Sequence, residues 1–122
     1  MEHRSLQLSR VTLHVVLAGN SAGEPVVLLH GWPQTWHEWR KLIPLLGTRY
    51  RLIVPDLPGL GDSSRPGDGY DKKTIAGDLR QMCEQLALSR FHLVGHDWGG
   101  HRATLRSPAR YPSGCARSRF SM

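Results

Sequence analysis

The sequence predicts an α/β domain built on a mostly parallel sheet. Three short, continuously apolar runs, at 25–29, 50–54 and 91–94, are typical of strands buried on both faces of such a sheet. Amphipathic helical patterns near 36–46 and 72–88 lie between these runs, and strands alternating with helices indicate βαβ units. We expect the first of the three strands to lie between the other two. A length of 122 residues, 39% of them hydrophobic and 21% charged, predicts a single domain with a modest core.

The first elements of the chain are a strand pair and a helix. Residues 9–18 are rich in β-branched side chains and predict a strand, which we expect to pair antiparallel with the segment before it. Thr35 is a typical helix N-cap, and Glu38 completes the pattern of a capping box, in which each side chain bonds a free backbone donor. The sequence therefore predicts a helix near 36–46, which Pro44 ends or kinks.

A loop and a second helix follow. Residues 55–70 hold three prolines and four glycines, which predicts a loop. Asp71 is expected to cap a helix over residues 72–88. One apolar stripe runs along this helix, formed by Ile75, Ala76, Leu79, Met82, Cys83 and Leu86. Because Cys83 lies in the stripe, we expect it to be a core residue rather than a reactive thiol.

Charge is distributed unevenly along the chain. The net charge is +6: residues 1–100 contribute +1, from 11 basic and 10 acidic residues, and residues 101–122 contribute +5, from five arginines and no acid. A basic segment can bind nucleic acid or acidic lipid. This one contains no lysine and only two aromatic residues, Tyr111 and Phe120, so we do not expect nucleic acid as a partner.

Cysteine usage and hydropathy favour a reducing, aqueous setting. Cys83 and Cys115 form neither a metal-binding pair nor a disulfide framework. No apolar run approaches the ~18–20 residues that a membrane span needs. The first seven residues are too polar for a signal peptide. We therefore expect a cytoplasmic protein with no membrane association, and we expect no cofactor and no metal.

The residues after the third apolar run form a nucleophile-elbow pattern. Gly95, His96, Asp97, Trp98 and Gly99 fit the frame G-x-S-x-G between a predicted strand and a predicted helix, with aspartate in place of serine. An ionised carboxylate needs no activating base. It can displace a leaving group at a saturated carbon and form an ester, which water must then hydrolyse. Read alone, Asp97 is equally well explained as a helix N-cap.

A second motif follows the first apolar run. His30, Gly31, Trp32 and Pro33 stand where α/β-hydrolases place half of their oxyanion hole. Backbone N–H groups of Trp32 and Trp98 could converge on the oxyanion that forms when water attacks the ester. Pro33 is a candidate for a cis peptide bond that fixes the turn. We expect His30 to be a structural hydrogen-bonding residue rather than a base.

Four segments together resemble one family. HGWPQTWHEWRKLIPLL, VPDLPGLGDSSRP, GYDKKTIAGDL and FHLVGHDWGG are similar, in order and spacing, to the soluble epoxide hydrolases of the α/β-hydrolase fold, over about residues 3–100. The resemblance implies the N-terminal portion of that sheet, truncated after the nucleophile elbow. It also implies Asp97 as the nucleophile, Trp32 and Trp98 as sources of oxyanion-hole amides, and a small epoxide or similar electrophile as substrate. The residues expected to support this site are His30, Gly31, Pro33, Gly95, His96 and Gly99, with Asp56 and residues 59–64 as a structural turn nearby.

Two related families fit less well. Haloalkane dehalogenases share the pair Asp97–Trp98, but they usually carry asparagine after His-Gly, where this chain has Trp32. Fluoroacetate dehalogenases share the H-G-x-P start, but they have arginine where this chain has Trp98. The sequence therefore favours an epoxide hydrolase-like protein, with a haloalkane dehalogenase-like hydrolase as a further alternative.

The last part of the chain departs from the family pattern. Three cations and a proline replace the largely apolar helix expected behind the nucleophile. No acid follows Asp97, and the one later histidine is His101, whereas α/β-hydrolases take their catalytic acid and histidine from later in the chain. We therefore expect a partial hydrolase core over residues 1–100 and a divergent basic tail over residues 101–122. As an enzyme, this chain should be incomplete and inactive. The alternative is that it is a non-catalytic fragment or a pseudoenzyme. The strand at 91–94 is expected to be an exposed sheet edge.

Overall fold

The computed structural model describes residues 1–31 and 34–95 and the backbone of 119–121. In chain order, the elements within these residues are β1 (Glu2–Gln7), β2 (Thr12–Gly19), β3 (Glu24–Leu29), a 3₁₀ helix (Trp36–Trp39), α1 (Ile43–Leu46), β4 (Tyr50–Pro55), α2 (Lys72–Gln85), β5 (His92–Gly95) and β6 (Arg119–Ser121). Among the described residues, no helix is both long and apolar enough to cross a membrane.

The strands form one mixed sheet in the order β1, β2, β4, β3, β5, β6. β3 runs parallel to β4 on one side and to β5 on the other, so that Val27 lies opposite both Ile53 and Leu93. β2 is antiparallel to β1 and to β4. The predicted N-terminal pair and the predicted position of β3 between the other two strands are both confirmed. A continuously apolar strand suits this position because both of its faces are covered.

The edge next to β5 differs from the expectation. The backbone of β6 pairs in parallel with β5, with Phe120 in register with Val94. The expected free edge is therefore wrong, since a short strand from the basic tail pairs with it. Backbone pairing makes no demand on side-chain type, so an arginine-rich segment can supply it. The proposed boundary at residue 100 and the residues from 101 to 118 lie outside the described part of the chain.

Successive strand residues point to opposite sides of the sheet, and two cores result. The first core, here called the α2 face, contains Leu8, Val11, Leu13, Val15, Val27, Leu29, Ile53, Leu57, Ile75, Leu79, Met82, Cys83, Leu86, Leu88, Phe91 and Leu93. The second core, here called the α1 face, contains Val16, Val26, Leu28, Trp39, Ile43, Leu52 and Val54. One long helix covers the α2 face, and two short helical segments cover the α1 face.

The first helical region differs from the prediction of one helix over 36–46. The chain instead forms two pieces, the 3₁₀ helix and α1. Pro44 lies in the first turn of α1, where its missing N–H is not needed, so it begins a helix rather than ending one. Thr35 does cap the 3₁₀ helix, because its hydroxyl oxygen accepts the N–H of His37 at 3.3 Å.

The second helical region follows its prediction closely. The carboxylate of Asp71 caps α2 by accepting the N–H of Thr74 at 3.0 Å. Hydrogen bonds from the hydroxyl and the N–H of Thr74 hold the pKa of Asp71 below its usual value. All six stripe residues are buried, and Cys83 is a core residue as expected. α2 ends at Gln85, earlier than predicted, because Ala87 adopts a φ of 56°, which a right-handed helix cannot continue.

Candidate active site

Two strand ends meet at one edge of the sheet. β3 and β5 are parallel neighbours, and their last residues, Leu29 and Gly95, are paired in register. One predicted motif starts directly after Leu29, and the other starts at Gly95. In open α/β sheets, ligands bind beyond the carboxyl ends of the strands. The pairing therefore brings the starts of both motifs to the edge where such sheets carry their sites.

His30 is fully buried directly after β3. Its Nε2 accepts the N–H of Leu57 at 2.9 Å, so this nitrogen carries no proton. The proton of the neutral ring must then be on Nδ1, which donates to the carbonyl of Gly31 at 2.8 Å. Both ring nitrogens bond the backbone, which agrees with the expected structural role and joins the chain leaving β3 to the chain leaving β4.

The backbone of Gly31 is bonded on both sides. Its N–H donates to Oε1 of Glu38 at 3.0 Å, and its carbonyl accepts the N–H of Gln34 at 2.9 Å in addition to the bond from His30. The sequence predicted that the side chain of Glu38 would bond a free backbone donor near the start of this helix, and the N–H of Gly31 is a donor that it bonds.

Asp56 is a buried carboxylate, 1% exposed, after β4. Its Oδ1 accepts the N–H of Trp36 at 2.8 Å. Its Oδ2 accepts the N–H of Asp62 at 3.0 Å and bonds Nδ1 of His14 at 2.7 Å. These donors offset the burial of the carboxylate. Gly61 lies directly against it with a φ of +55°, and a Cβ there would overlap the carboxylate. Asp56 thus joins β2, the 3₁₀ helix and the loop after β4.

Three of these groups also have the chemistry of metal ligands. The ligand atoms of His14, Asp56 and Asp62 lie within 4.8 Å of one another. The oxygens of Asp56 already accept hydrogen bonds, however, and Nε2 of His14 is bonded to Nδ1 of His3 at 2.8 Å. An ion would have to displace part of this network, so the arrangement fits a hydrogen-bonded support better than a metal site.

One further member of this network, Ser63, belongs to the predicted structural turn, and another, His14, was missed from the sequence. The hydroxyl of Ser63 donates to the carbonyl of Asp56 at 2.6 Å and accepts the N–H of His14 at 2.9 Å. His14 is itself 7% exposed within β2. A histidine inside a run of apolar strand residues was the available signal, because a buried imidazole needs polar partners.

Several predicted site residues lie outside the described part of the chain: Trp32, Pro33, His96, Asp97, Trp98 and Gly99. Their roles therefore stay predictions. The structure describes the framework next to them, namely His30, Gly31 and Gly95.

Comparison with known proteins gives the family. The family described as alpha/beta hydrolase fold matches residues 24–116 of this chain. The chain belongs to the α/β-hydrolase fold family. This hydrolase match continues past residue 100, so the family pattern reaches farther into the basic tail than the motifs alone indicated.

The similar proteins include epoxide hydrolases and a dehalogenase. The soluble epoxide hydrolase of Corynebacterium sp. (strain C12) is 47% identical over 98 residues, which are 80% of this chain and 34% of that protein. The fluoroacetate dehalogenase of Burkholderia sp is 39% identical over 115 residues, 88% of this chain and 37% of that protein. The structure of the epoxide hydrolase CorEH without ligand aligns with a TM-score of 0.89 and 40% identity, over 98% of this chain and 41% of that chain. The chain spans about a third of the length of these curated relatives.

Proposed function

We propose that this chain carries part of the catalytic site of an epoxide hydrolase-like α/β-hydrolase, with Asp97 as the nucleophile. The observation that carries the proposal is the pairing of Leu29 with Gly95, because the two motifs with catalytic chemistry start at these strand ends. The identity of 47% with a soluble epoxide hydrolase supports a small epoxide as the substrate class.

The proposed reaction has two steps. A carboxylate oxygen of Asp97 attacks one epoxide carbon, the bond from that carbon to the epoxide oxygen breaks, and the resulting alkoxide takes a proton from water. An ester between Asp97 and a hydroxyalkyl group is the product. Water or hydroxide then attacks the ester carbonyl carbon, the tetrahedral oxyanion collapses, a diol leaves, and the Asp97 carboxylate forms again.

The remaining motif residues have supporting roles in this proposal. The amides of Trp32 and Trp98 donate to the oxyanion of the second step. His30 is not the base that activates water, because its Nε2 accepts the N–H of Leu57 and its Nδ1 donates to Gly31. The residues that shape the two turns are Gly31, Pro33, Gly95, His96 and Gly99.

We expect the ester to form without sustained turnover in the 122-residue chain. Activation of water and protonation of the alkoxide each contribute typically ~10²–10⁴-fold, and each needs a positioned acid or base. After Asp97 the sequence contains no acidic side chain and one histidine, His101. The first step needs only an ionised carboxylate in line with the bond that breaks, so it is the step that we expect of this chain, at a slow rate.

Intact-mass spectrometry of the chain after incubation with a reactive terminal epoxide tests the proposal. We expect one adduct with the mass of the epoxide, lost in Asp97→Ala and retained in Asp68→Ala, which removes an exposed aspartate. An unchanged adduct in Asp97→Ala would exclude Asp97 as the nucleophile. Sustained diol formation by the unaltered chain would contradict the expected lack of turnover and indicate a base not yet identified.

Fluoroacetate dehalogenation is the second candidate, because the relative with that name aligns with 88% of this chain. Asp97 would then displace fluoride and carry a carboxymethyl ester. Trp98 stands where that family has arginine, so we expect neither fluoride release nor this adduct. Fluoride release lost in Asp97→Ala would reverse the preference, and the absence of any adduct from either reagent would favour a non-catalytic fragment.

A further inference from the structure

A carboxylate from the 3₁₀ helix reaches the first glycine after β3. Oε1 of Glu38 accepts the N–H of Gly31 at 3.0 Å, from seven positions along the chain. We propose that Glu38 is a positioning residue for the oxyanion-hole amide that follows Gly31. The inference rests on the proposed function, and Glu38 acts through Gly31 rather than on the reacting atoms.

The hydrogen bonds around Gly31 give Glu38 this influence. A peptide group is planar, so the carbonyl of Gly31 and the amide of Trp32 belong to one rigid unit. That carbonyl accepts Nδ1–H of His30 at 2.8 Å and the N–H of Gln34 at 2.9 Å. Glycine has no Cβ to restrict φ and ψ, so hydrogen bonds must fix its conformation. The bond from Glu38 holds the other peptide group of Gly31, so φ of this residue is fixed from both sides, and loss of the bond would leave the conformation of Gly31 less restricted.

The support behind Glu38 is itself fixed at two other points. The N–H of Trp36, in the same 3₁₀ helix, donates to the buried carboxylate of Asp56 at 2.8 Å. Trp39 anchors the helix in the α1 face and is 3% exposed. A hydrogen bond to an ionised acceptor is about twice as strong as one between neutral groups. Glu38 therefore ties Gly31 to a helix that the loop after β4 already holds.

The two proposed reaction steps respond differently to the loss of this bond. Attack of Asp97 on an epoxide forms no oxyanion at the ester carbonyl, so its rate should not depend on Glu38. Ester hydrolysis passes through the oxyanion, so its rate should fall. Loss of a whole oxyanion-hole donor lowers a rate by ~10²–10³-fold, and we expect about a tenfold decrease for loss of positioning alone.

The experiment separates the two steps in the full 122-residue chain. Each variant is first alkylated with the same terminal epoxide, and excess reagent is removed. Decay of the ester is then followed by intact mass at alkaline pH, where hydroxide supplies the attacking group without a protein base. The variants are Glu38→Ala, Glu38→Met, which keeps the length without an acceptor, and Glu38→Gln, which keeps an acceptor oxygen. Glu84→Ala is the matched control, because Glu84 lies exposed on α2 and pairs with Arg80.

We expect all variants to form the ester at rates within about twofold of the unaltered chain, a margin well below the ~10²-fold effect of losing an oxyanion-hole donor. Ester decay should be slow in Glu38→Ala and Glu38→Met, and close to normal in Glu38→Gln and Glu84→Ala. Slow decay of Glu38→Met with rescue by Glu38→Gln is a pattern that a general loss of stability would not give.

Three outcomes would overturn the inference. Absence of any ester in the unaltered chain removes the proposed function and this inference together. Ester formation with the same decay in all variants removes this inference and leaves the proposed function intact. If both Glu38→Ala and Glu38→Met gave the far-ultraviolet circular dichroism spectrum of an unfolded chain, Glu38 would be needed for folding rather than for positioning.

Discussion

The two faces of the sheet are completed by different means. On the α2 face, a continuous apolar stripe on one helix seals the core, and Ile75 and Met82 are fully buried. On the α1 face, Trp39 and Ile43 are the buried contributions of the short helical segments, and Tyr50 and Val94 are only partly buried. Among the described residues, an uninterrupted helical stripe therefore contributes more buried side chains to its sheet face than the two short helical segments contribute to theirs.

Polar anchoring differs between the faces as well. Arg10 binds the carboxylate of Asp78 on α2 through Nε at 3.1 Å and Nη2 at 2.7 Å, and it also donates to the carbonyls of Asp68 and Gly69. On the α1 face, the buried Nε1 of Trp39 has no hydrogen-bond partner among the described residues. The α2 face is thus held by an ion pair, while the 3₁₀ helix of the α1 face is held by the bonds of Trp36 and Glu38 and buries one indole donor with no partner among the described residues.

Among the variants that compare the two faces, Arg10→Ala should show a larger loss of stability than the single substitutions described below. It leaves the buried carboxylate of Asp78 without its cation, and breaking a buried pair from one side costs about 3–5 kcal/mol. Chemical denaturation of the variant measures the loss. The control is Arg4→Ala, which removes an exposed pair with Glu2 and should cost less than about 1 kcal/mol. Equal losses in the two variants would show that burial does not strengthen the dependence on Arg10.

The same ion pair predicts a dependence on pH. Burial raises the pKa of Asp78 above its usual value, although the hydrogen bond and charge of Arg10 act in the opposite direction. A carboxyl group with a raised folded pKa stabilises the fold fully below its unfolded pKa, and this contribution is lost as pH rises through the folded pKa. Arg10→Ala removes an influence that lowers the pKa, so its stability should fall further with rising pH than that of the unaltered chain. Adding Asp78→Asn should abolish the difference in slope.

Removal of a core side chain should lower the free energy of unfolding by different amounts at the two faces, and this difference should be smaller than the one between Arg10→Ala and Arg4→Ala. Met82→Ala creates a cavity under a continuous helix and should cost about 3 kcal/mol, whereas Ile43→Ala, at the less completely covered face, should cost about 2 kcal/mol or less. Unfolding of both variants under the same conditions gives the comparison. A larger loss for Ile43→Ala would mean that the α1 face is the more tightly packed of the two.

The smallest expected effect is that of Trp39→Phe. The replacement removes part of a buried ring, but it also removes an indole donor without a partner, and an unsatisfied buried donor costs about 1–3 kcal/mol. The two effects oppose each other, so the free energy of unfolding should change by less than about 1 kcal/mol. Trp39→Ala, which removes the whole side chain, is the comparison and should be far more destabilising. A large loss in Trp39→Phe would indicate that the indole N–H does have a partner.

Local patterns were sufficient for much of the fold. The apolar run of β3 predicted a central strand, and Asp71 with the stripe behind it predicted α2, because these signals depend on neighbouring residues in the sequence. The break of the 36–46 helix was missed, since Pro44 is compatible with either end of a helix. β6 was missed because parallel pairing over a long separation leaves little trace in side-chain pattern.

The candidate site likewise contains residues that local sequence patterns predicted and contacts that they did not. His30 and Gly31 were found because they belong to a short motif after a strand. The bonds of His14 and Ser63 to Asp56 were missed because they join residues more than forty positions apart, or within one irregular loop. The bond from Gly31 to Glu38 was not predicted because it joins residues seven positions apart, beyond the spacing of a capping box.

The position of the tryptophans has a spectroscopic consequence. The chain has four tryptophans, at 32, 36, 39 and 98, and the two within the described residues, Trp36 and Trp39, lie at the α1 face. Trp36 stands edge-on to the rings of His3 and His37, with 5.4 Å between ring centroids in each case. Fluorescence changes of Trp36 and Trp39 therefore report on the α1 face, while α2, the longest helix among the described elements, contributes strongly to the far-ultraviolet circular dichroism. Unfolding curves from these two signals follow the two faces of the sheet separately, and they will coincide only if both faces melt as one unit.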